Sequence, residues 1–337
     1  MNSTRTIIEE AIRCMAIENT IFSYNNIDKN KIKVMETGNL NIVVVLEALS
    51  NKWVLKINDN LCTLNREKIL KILEEKYDLY VQNEHFLGSD YLCFGDRKIQ
   101  VRKYVKGVSG NINYDKDLMA VLEAVYKLQS IKIENIKIFN YIDEVLKKVT
   151  GLINMMNESS LTNREKNNIM KYISLLTENY IILSNNKVIT QVEKYVISHG
   201  DMNNYNFIFE NHKLVGIIDW DDIGIRPKIF DLAKILLLWS RLANGEFEID
   251  KTKVMFILNY YKEKMNLTVD EIDLLPVILE TLIIPDDKTL ITLSKKNRLT
   301  WILNWTNNAQ RYIKDKLSPI VKNYLRKEEI LFEKRND

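Results

Sequence analysis

Ser198-His199-Gly200-Asp201-Met202-Asn203-Asn204-Tyr205-Asn206 runs straight into an apolar segment that closes on Asp219-Trp220-Asp221-Asp222. Phe207-Ile208-Phe209 and Leu214-Val215-Gly216-Ile217-Ile218 read as two short strands, since both are apolar and the Glu210-Asn211-His212-Lys213 link is polar enough to turn. With all four link residues in the turn, Phe209 lies opposite Leu214 and Asn206 opposite Ile217. Asn206 and Asp219 then emerge at one open end of the hairpin, a diagonal pair apart, with roughly 7 Å between backbones.

Hard divalent cations take oxygen ligands, and Mg²⁺ usually keeps one or two protein oxygens beside phosphates and water. Asn206 and Asp219 offer such a pair. Asp201, five residues before Asn206 on an irregular loop, is a carboxylate beside that cation with no need to bind it. It suits a group that orients a hydroxyl and accepts its proton. Together the three residues have the layout of a phosphotransfer site.

His199-Gly200-Asp201 with Asn206, followed by Ile218-Asp219-Trp220, resembles the catalytic and metal motifs of the aminoglycoside phosphotransferase and choline kinase family, a branch of the protein-kinase-like fold. Protein kinases carry H-R-D-x-x-x-x-N and D-F-G at these places. Gly200 and Trp220 depart from both, which directs the resemblance to small-molecule kinases. It implies that Asp201 is the catalytic base, that Asn206 and Asp219 hold Mg²⁺, and that Asp231, before Leu232-Ala233, buttresses the site. It also implies an α+β, bilobal fold, with a small N-terminal lobe built on an antiparallel sheet over residues 1–106 and a mostly helical C-terminal lobe over 107–337. Singly each motif has a plainer reading: His-Gly-Asp is a common turn, Asp219 ends a strand, and Asp231 caps a helix over 232–239. Their occurrence in order between Ser198 and Ala233 favours the site. His199 is then a structural hydrogen-bonding residue, because Asp201 fills the proton-accepting role.

Upstream, segments 31–37, 41–49 and 52–57 read as strands of an antiparallel sheet. Thr37-Gly38-Asn39-Leu40-Asn41 lies where the resemblance places a phosphate-covering loop, with backbone N–H groups of Gly38 and Asn39 over the phosphates; with one glycine it is also an ordinary turn. Alternation in Trp53-Val54-Leu55-Lys56-Ile57 puts Trp53, Leu55 and Ile57 on one face and Val54 with Lys56 on the other. Lys56 matches the strand lysine that contacts nucleotide phosphates in kinases, and its plainer reading is a solvent-facing lysine. Within an amphipathic helix over 65–75, Glu67 resembles the glutamate that pairs with that lysine. The helix dipole favours acid there in any case, and Glu74 competes for the role. Segments 77–82 and 90–94 alternate like strands that complete the sheet. The apolar run 99–105, ending in Lys106-Gly107, resembles an inter-lobe hinge whose main chain at Tyr104, Val105 and Lys106 meets adenine, so the side chains do not separate ATP from GTP.

Residues 3–20 read as an amphipathic packing helix. From Asp115 onward Leu118, Val121, Leu122, Val125 and Leu128 recur at helical spacing, and helices near 138–157, 163–184 and 228–242 follow. In 250–337, Tyr260, Tyr261, Trp301, Trp305 and Tyr312 with Asp286-Asp287 offer a cationic alcohol both aromatic faces and charge; Trp301 and Trp305, four apart, fit a core stripe as well. Segment 314–335 reads as a solvated helix of alternating sign.

The chain length of 337 residues fits two lobes. Hydrophobic residues at 46% and charged residues at 28% are those of an ordinary soluble protein, and a net charge of +3 gives no reason to expect nucleic acid. Cys14, Cys62 and Cys93 lack any C-x-x-C spacing, so neither a zinc site nor a disulfide framework is indicated and a reducing cytoplasm fits. Glu9 and Glu10 with no long apolar core argue against a signal peptide, and no apolar run is long enough to span a bilayer. The expectation is a cytoplasmic, Mg²⁺- and ATP-dependent phosphotransferase, GTP not excluded, acting on a small-molecule hydroxyl (an aminoglycoside, amino alcohol or metabolite), as monomer or homodimer without nucleic-acid or membrane partners. The competing reading is a kinase-like protein without catalysis, as in spore-coat proteins resembling the family; Asp201, Asn206 and Asp219 all being present argues against it.

Overall fold

β1 (Lys33–Met35), β2 (Ile42–Ala48), β3 (Asn51–Asn58), β4 (Leu92–Phe94) and β5 (Arg97–Lys103) form an antiparallel sheet in the order β1-β2-β3-β5-β4. In this computed structural model the described residues are 6–13, 32–35, 42–48, 50–58, 64–81, 92–94, 97–133, 136, 138, 140–158 and 161–324. The chain divides into two compact units, Met1–Gly107 with Val215–Ile218, and Val108–Leu214 with Asp219–Asp337.

In the first unit Val44, Leu46, Trp53, Leu55, Ile57, Ile99 and Val101 cluster with Ile8, Ala11 and Ile12 of helical residues 6–13. Apolar alternation on β3 thus supplies the core face, as the pleat requires, although Val54 on the opposite face is also buried. Helix Leu64–Lys76 turns Ile69, Leu70 and Leu73 inward. Segment 77–82, expected as a strand, is not one over its described residues 77–81. Tyr77 N–H donates to the Leu73 carbonyl at 2.9 Å and Tyr80 N–H to the Tyr77 carbonyl at 3.0 Å, so the helix unwinds through turns. Only a single parallel bridge, Tyr80 to Ile217, remains of the alternation.

The second unit is mostly helical, with helices Asp115–Gln129, Tyr141–Met155, Asn163–Ser184, Ile229–Trp239, Lys251–Met265, Val269–Ile283, Asp287–Lys295 and Leu299–Tyr312. Capping boxes fix two of their starts, Thr162 with Glu165 and Thr268 with Glu271. Helix Ile229–Trp239 is apolar on nearly every side, and its residues are buried accordingly. The aromatic set is not of one kind: Tyr261 and Tyr312 are core residues, Trp305 and Tyr312 both pack on Phe247, and Trp301 is 49% exposed, while Asp286 caps helix Asp287–Lys295 through the Thr289 N–H. Segment 314–335 is not simply solvated either: over its described part Leu317, Val321 and Tyr324, with Ile313 just before, bury one face. No helix among the described residues is long and apolar enough to cross a membrane.

Lys148 supplies a pH-dependent element of this packing. Its Nζ donates to the carbonyls of Thr281 and Ile284 at 2.9 and 2.7 Å. Burial lowers its pKa to about 8, with Asp286 opposing and Lys234 adding to the shift. The unfolded chain therefore holds this proton between about pH 8 and 10.5 while the folded chain does not, so the Lys148 contribution to stability rises with pH across that window and is flat below it. In Lys148→Met, the melting-temperature difference from wild type is expected to change between pH 8 and 10 and to stay constant between pH 6 and 8. Parallel thermal melts measure it.

Candidate active site

β7 (Val196–Ser198) pairs antiparallel with β10 (Gly224–Arg226), with Ser198 opposite Gly224. The chain leaves β7 at Ser198 and enters β10 at Gly224, so loop 199–206 and loop 218–223 spring from the same end of this ribbon. They touch: a Cβ on Gly200 would stand 2.2 Å from the Asp222 carbonyl oxygen. Gly200 also has φ +85°, a left-handed backbone that side-chain-bearing residues resist. Glycine is required there on both counts. Arg226 secures the facing loop, its Nη1 donating to the Asp222 carbonyl at 2.7 Å and its Nε to Glu144 Oε2 at 3.1 Å. Burial alone would lower the Arg226 pKa, but Glu144 and Asp222 more than offset it and the group is raised.

Loop 199–206 is held from below by Asp231, a fully buried carboxylate in the first turn of helix Ile229–Trp239. Asp231 Oδ1 accepts from Ser198 Oγ at 2.8 Å and Gly200 N–H at 3.1 Å, and Oδ2 accepts from His199 N–H at 3.1 Å. The carboxylate therefore serves the loop and does not cap its own helix. Three residues on, Lys234 Nζ donates to the Gly200 carbonyl. The N–H of the same peptide group is fixed as well, with Asp201 N–H donating to His199 Nδ1 at 3.2 Å. The imidazole, 1% exposed and 4.4 Å centroid to centroid from Trp220, is thus a packed, hydrogen-bonding group. Farther along, Trp239 Nε1 donates to the Met202 carbonyl at 2.8 Å and Asn204 Nδ2 to the Gly110 carbonyl at 2.7 Å.

The loop brings Asp201 and Asn206 together. Asn206 Nδ2 donates to Asp201 Oδ2 at 2.9 Å and to the Asp201 carbonyl at 3.1 Å, and Asn203 N–H donates to Asp201 Oδ1 at 3.3 Å. With its nitrogen so engaged, the Asn206 amide presents its oxygen, which takes no hydrogen bond among the described residues. Asp219 opens the one-turn helix Trp220–Asp222 in a left-handed backbone, φ 64° and ψ 61°. Asp tolerates that conformation better than most residues, and such strain concentrates at functional sites. No group of three or more His, Cys, Asp or Glu gathers among the described residues to cage a metal unaided. The Asn206 amide oxygen and the Asp219 carboxylate are hard oxygen donors, which fits a Mg²⁺ that arrives with phosphates and water.

β8 (Phe207–Glu210) and β9 (Lys213–Ile217) follow the loop, with β6 (Val108–Ser109) on the other side of β8. The turn is tighter than the expected four residues: Asn211 and His212, both at positive φ, make a two-residue type I′ turn.

In the first unit Lys56 sits half-buried on β3, paired with Val43 and Gln100. Glu67 lies half-buried in the first turn of helix Leu64–Lys76. Tyr104 is exposed, and its N–H extends the sheet to the Lys52 carbonyl at 2.9 Å. Val105 is half-buried and Lys106 exposed. Gly38 and Asn39 lie outside the described residues. Sequence reasoning missed Ser198, Lys234 and Asp222 as parts of this site. Lys234 carried a signal, because it and Asp231 are three apart on one face of an otherwise apolar helix.

Residues 186–252 match the model of the Phosphotransferase enzyme family. No curated protein matches the chain in sequence. Among solved structures, ethanolamine kinase from Plasmodium vivax is similar at a TM-score of 0.60 and 12% identity, over 89% of this chain and 83% of that one. Amicoumacin kinase hAmiN, in complex with AMP-PNP, Ca²⁺ and Ami, is similar at 0.58 and 14%, over 86% and 90%. An aminoglycoside phosphotransferase from Alicyclobacillus acidocaldarius is similar at 0.53 and 12%, over 90% and 95%. The chain therefore has the protein-kinase-like fold shared by aminoglycoside phosphotransferases and ethanolamine kinase, and its residues 186–252 are similar to the Phosphotransferase enzyme family.

Proposed function

We propose that the chain is an ATP-dependent phosphotransferase that moves the γ-phosphoryl group to a hydroxyl of a small molecule. The observation that carries this reading is the Asp201–Asn206 pair on a loop anchored by Asp231 and pressed against the Asp219–Asp222 turn. Asp201 orients the acceptor hydroxyl and takes its proton as the acceptor oxygen bonds to the γ-phosphorus and the bond to the β–γ bridging oxygen breaks, leaving ADP. Asn206 and Asp219 would hold Mg²⁺, which supplies neutralisation of phosphate charge when bound. By resemblance Lys56 contacts the phosphates with Glu67 or Glu74 as its partner, the main chain of Gly38 and Asn39 covers them, and the main chain of Tyr104, Val105 and Lys106 meets adenine. Catalysis of this kind rests on positioning and charge stabilisation. No observation favours the non-catalytic alternative.

Two measurements test the reading. ATP with Mg²⁺ is expected to raise the melting temperature by linkage, and ADP release is expected from at least one member of a panel of alcohols, amino alcohols and aminoglycosides. A protein whose melting point ignores ATP and whose ATP turnover ignores every alcohol is not this enzyme.

A further inference from the structure

Two arginines of the second unit, Arg226 half-buried and Arg241 buried, have opposite surroundings. Arg226 is paired with Glu144 at 3.1 Å and feels the charges of Asp222 and Asp231 as well. Arg241, 7% exposed, lies just past helix Ile229–Trp239, and its side chain makes a single hydrogen bond, from Nε to the Leu238 carbonyl at a long 3.5 Å. No carboxylate among the described residues pairs with it. Burial lowers its pKa, and the groups that act against this are two phenols, those of Tyr312 and Tyr205. Asp250 follows Ile249, the bridge partner of Arg241, but spends its carboxylate elsewhere: Oδ1 accepts from Thr252 and Lys253 N–H at 2.9 and 3.2 Å, and Oδ2 lies 3.9 Å from Lys253 Nζ.

A guanidinium largely removed from water without a counter-ion is costly, and a helix C-terminal carbonyl at the limit of hydrogen bonding returns little of that cost. The two terminal nitrogens are not among the sealed, unpartnered side-chain atoms of the structure, so they reach solvent even though the rest of the side chain is covered. Four N–H donors therefore keep some access to solvent. Tyr205, whose hydroxyl acts electrostatically on Arg241, immediately precedes Asn206, whose amide holds Asp201. Tyr205 is 56% exposed, and its hydroxyl makes no hydrogen bond among the described residues. Ser240, next to Arg241 in the chain, is itself fixed, with its Oγ 3.3 Å from the Tyr312 hydroxyl and its carbonyl accepting from Asp250 N–H at 2.7 Å.

We propose that Arg241, assisted by the Tyr205 hydroxyl, is a subsite for an oxyanion, a carboxylate or phosphate group, borne by the acceptor alcohol. The assignment of that oxyanion to an acceptor rests on the phosphotransferase reading; the anion site itself does not. A planar fork of donors matches either oxyanion bidentately, which a lysine does not. The subsite favours acidic alcohols over aminoglycosides, whose positive charge Arg241 would repel.

The experiment uses the full chain without nucleotide, melted with glycerate, with glycerol 3-phosphate, and with glycerol and ethanolamine as neutral and cationic counterparts. Glycerate or glycerol 3-phosphate is expected to raise the melting temperature, which of the two distinguishing carboxylate from phosphate, while glycerol and ethanolamine leave it unchanged. Arg241→Met is expected to abolish the shift, and its unliganded form to melt no lower than wild type, because an uncompensated buried charge has been removed. Arg241→Lys should keep a weakened shift. In turnover, Arg241→Met should raise KM for the anionic acceptor about 10- to 100-fold, the loss of a charged hydrogen-bonded contact, with kcat within a few-fold. A shift that persists in Arg241→Met, no shift with either anion, or an Arg241→Met chain that melts lower or fails to fold overturns the proposal. An anion shift without phosphoryl transfer to any alcohol would leave the subsite standing and sink the phosphotransferase reading. Phosphoryl transfer to alcohols with no anion-induced shift in melting temperature would do the reverse.

Discussion

Replacing Asp201 by alanine is expected to lower turnover about 10²- to 10⁴-fold, the range over which a positioned general base acts. The shift in melting temperature caused by ATP with Mg²⁺ should be largely kept. The Asp201 carboxylate is aimed by two donors, Asn203 N–H on Oδ1 and Asn206 Nδ2 on Oδ2, and each oxygen retains a further lone pair for an acceptor hydroxyl. Removing it leaves the Asn206 amide oxygen and Asp219 in place, which is why binding and chemistry should separate. Asp201→Asn sharpens the test. Asparagine preserves size and keeps one acceptor for Asn203 N–H, but it cannot take a proton and sets an NH₂ against the Asn206 donor. If Asp201 works as a base, Asn and Ala variants are similarly slow in single-turnover measurements, which isolate the chemical step. An asparagine variant with most of the wild-type rate would make residue 201 an orienting group only.

The parts of this site that were legible in the sequence were those whose chemistry is local. Asp201 and Asn206, five apart on one loop, needed no knowledge of distant partners, and the Phe207–Glu210 and Lys213–Ile217 strands declared themselves by apolar runs around a polar link. The length of the turn did not, because Glu210 and Lys213 are polar strand ends that look like turn residues. What the sequence hid depends on which way a side chain faces. Trp301, Trp305 and Tyr312 fit an aromatic recognition face and a core stripe alike; in the structure Tyr312 is buried, Trp305 is half-buried against Phe247 and Trp301 is exposed. Segment 77–82 has strand alternation, yet backbone hydrogen bonds from Tyr77 and Tyr80 wind it as turns. The part that Lys234 plays shows only in the fold, where its Nζ donates to the Gly200 carbonyl.

Asp231→Ala is expected to have the largest effect on stability, and the reason lies in what it would leave behind. Ser198 Oγ can turn to another acceptor, but the N–H groups of His199 and Gly200 are backbone donors whose direction the buried loop fixes, and both lose the oxygen that Asp231 offers them. Breaking a buried, hydrogen-bonded carboxylate of this kind costs roughly 3–5 kcal/mol, which for a unit of this size lowers the melting temperature by roughly 6–20 °C. Asp231→Asn should fall between, since one oxygen still accepts while the amide nitrogen opposes a donor. The same loss reaches the chemistry through geometry. Asp231 fixes residues 198 to 200, Lys234 and His199 fix the next peptide group, and Asp201 is the residue that peptide carries. Turnover measured well below the lowered melting point should therefore drop by more than the unfolded fraction accounts for, with nucleotide binding kept. If Asp231→Ala melts like wild type, the three hydrogen bonds do not hold the loop, and the route from helix Ile229–Trp239 to Asp201 must run through Lys234 and Trp239 instead.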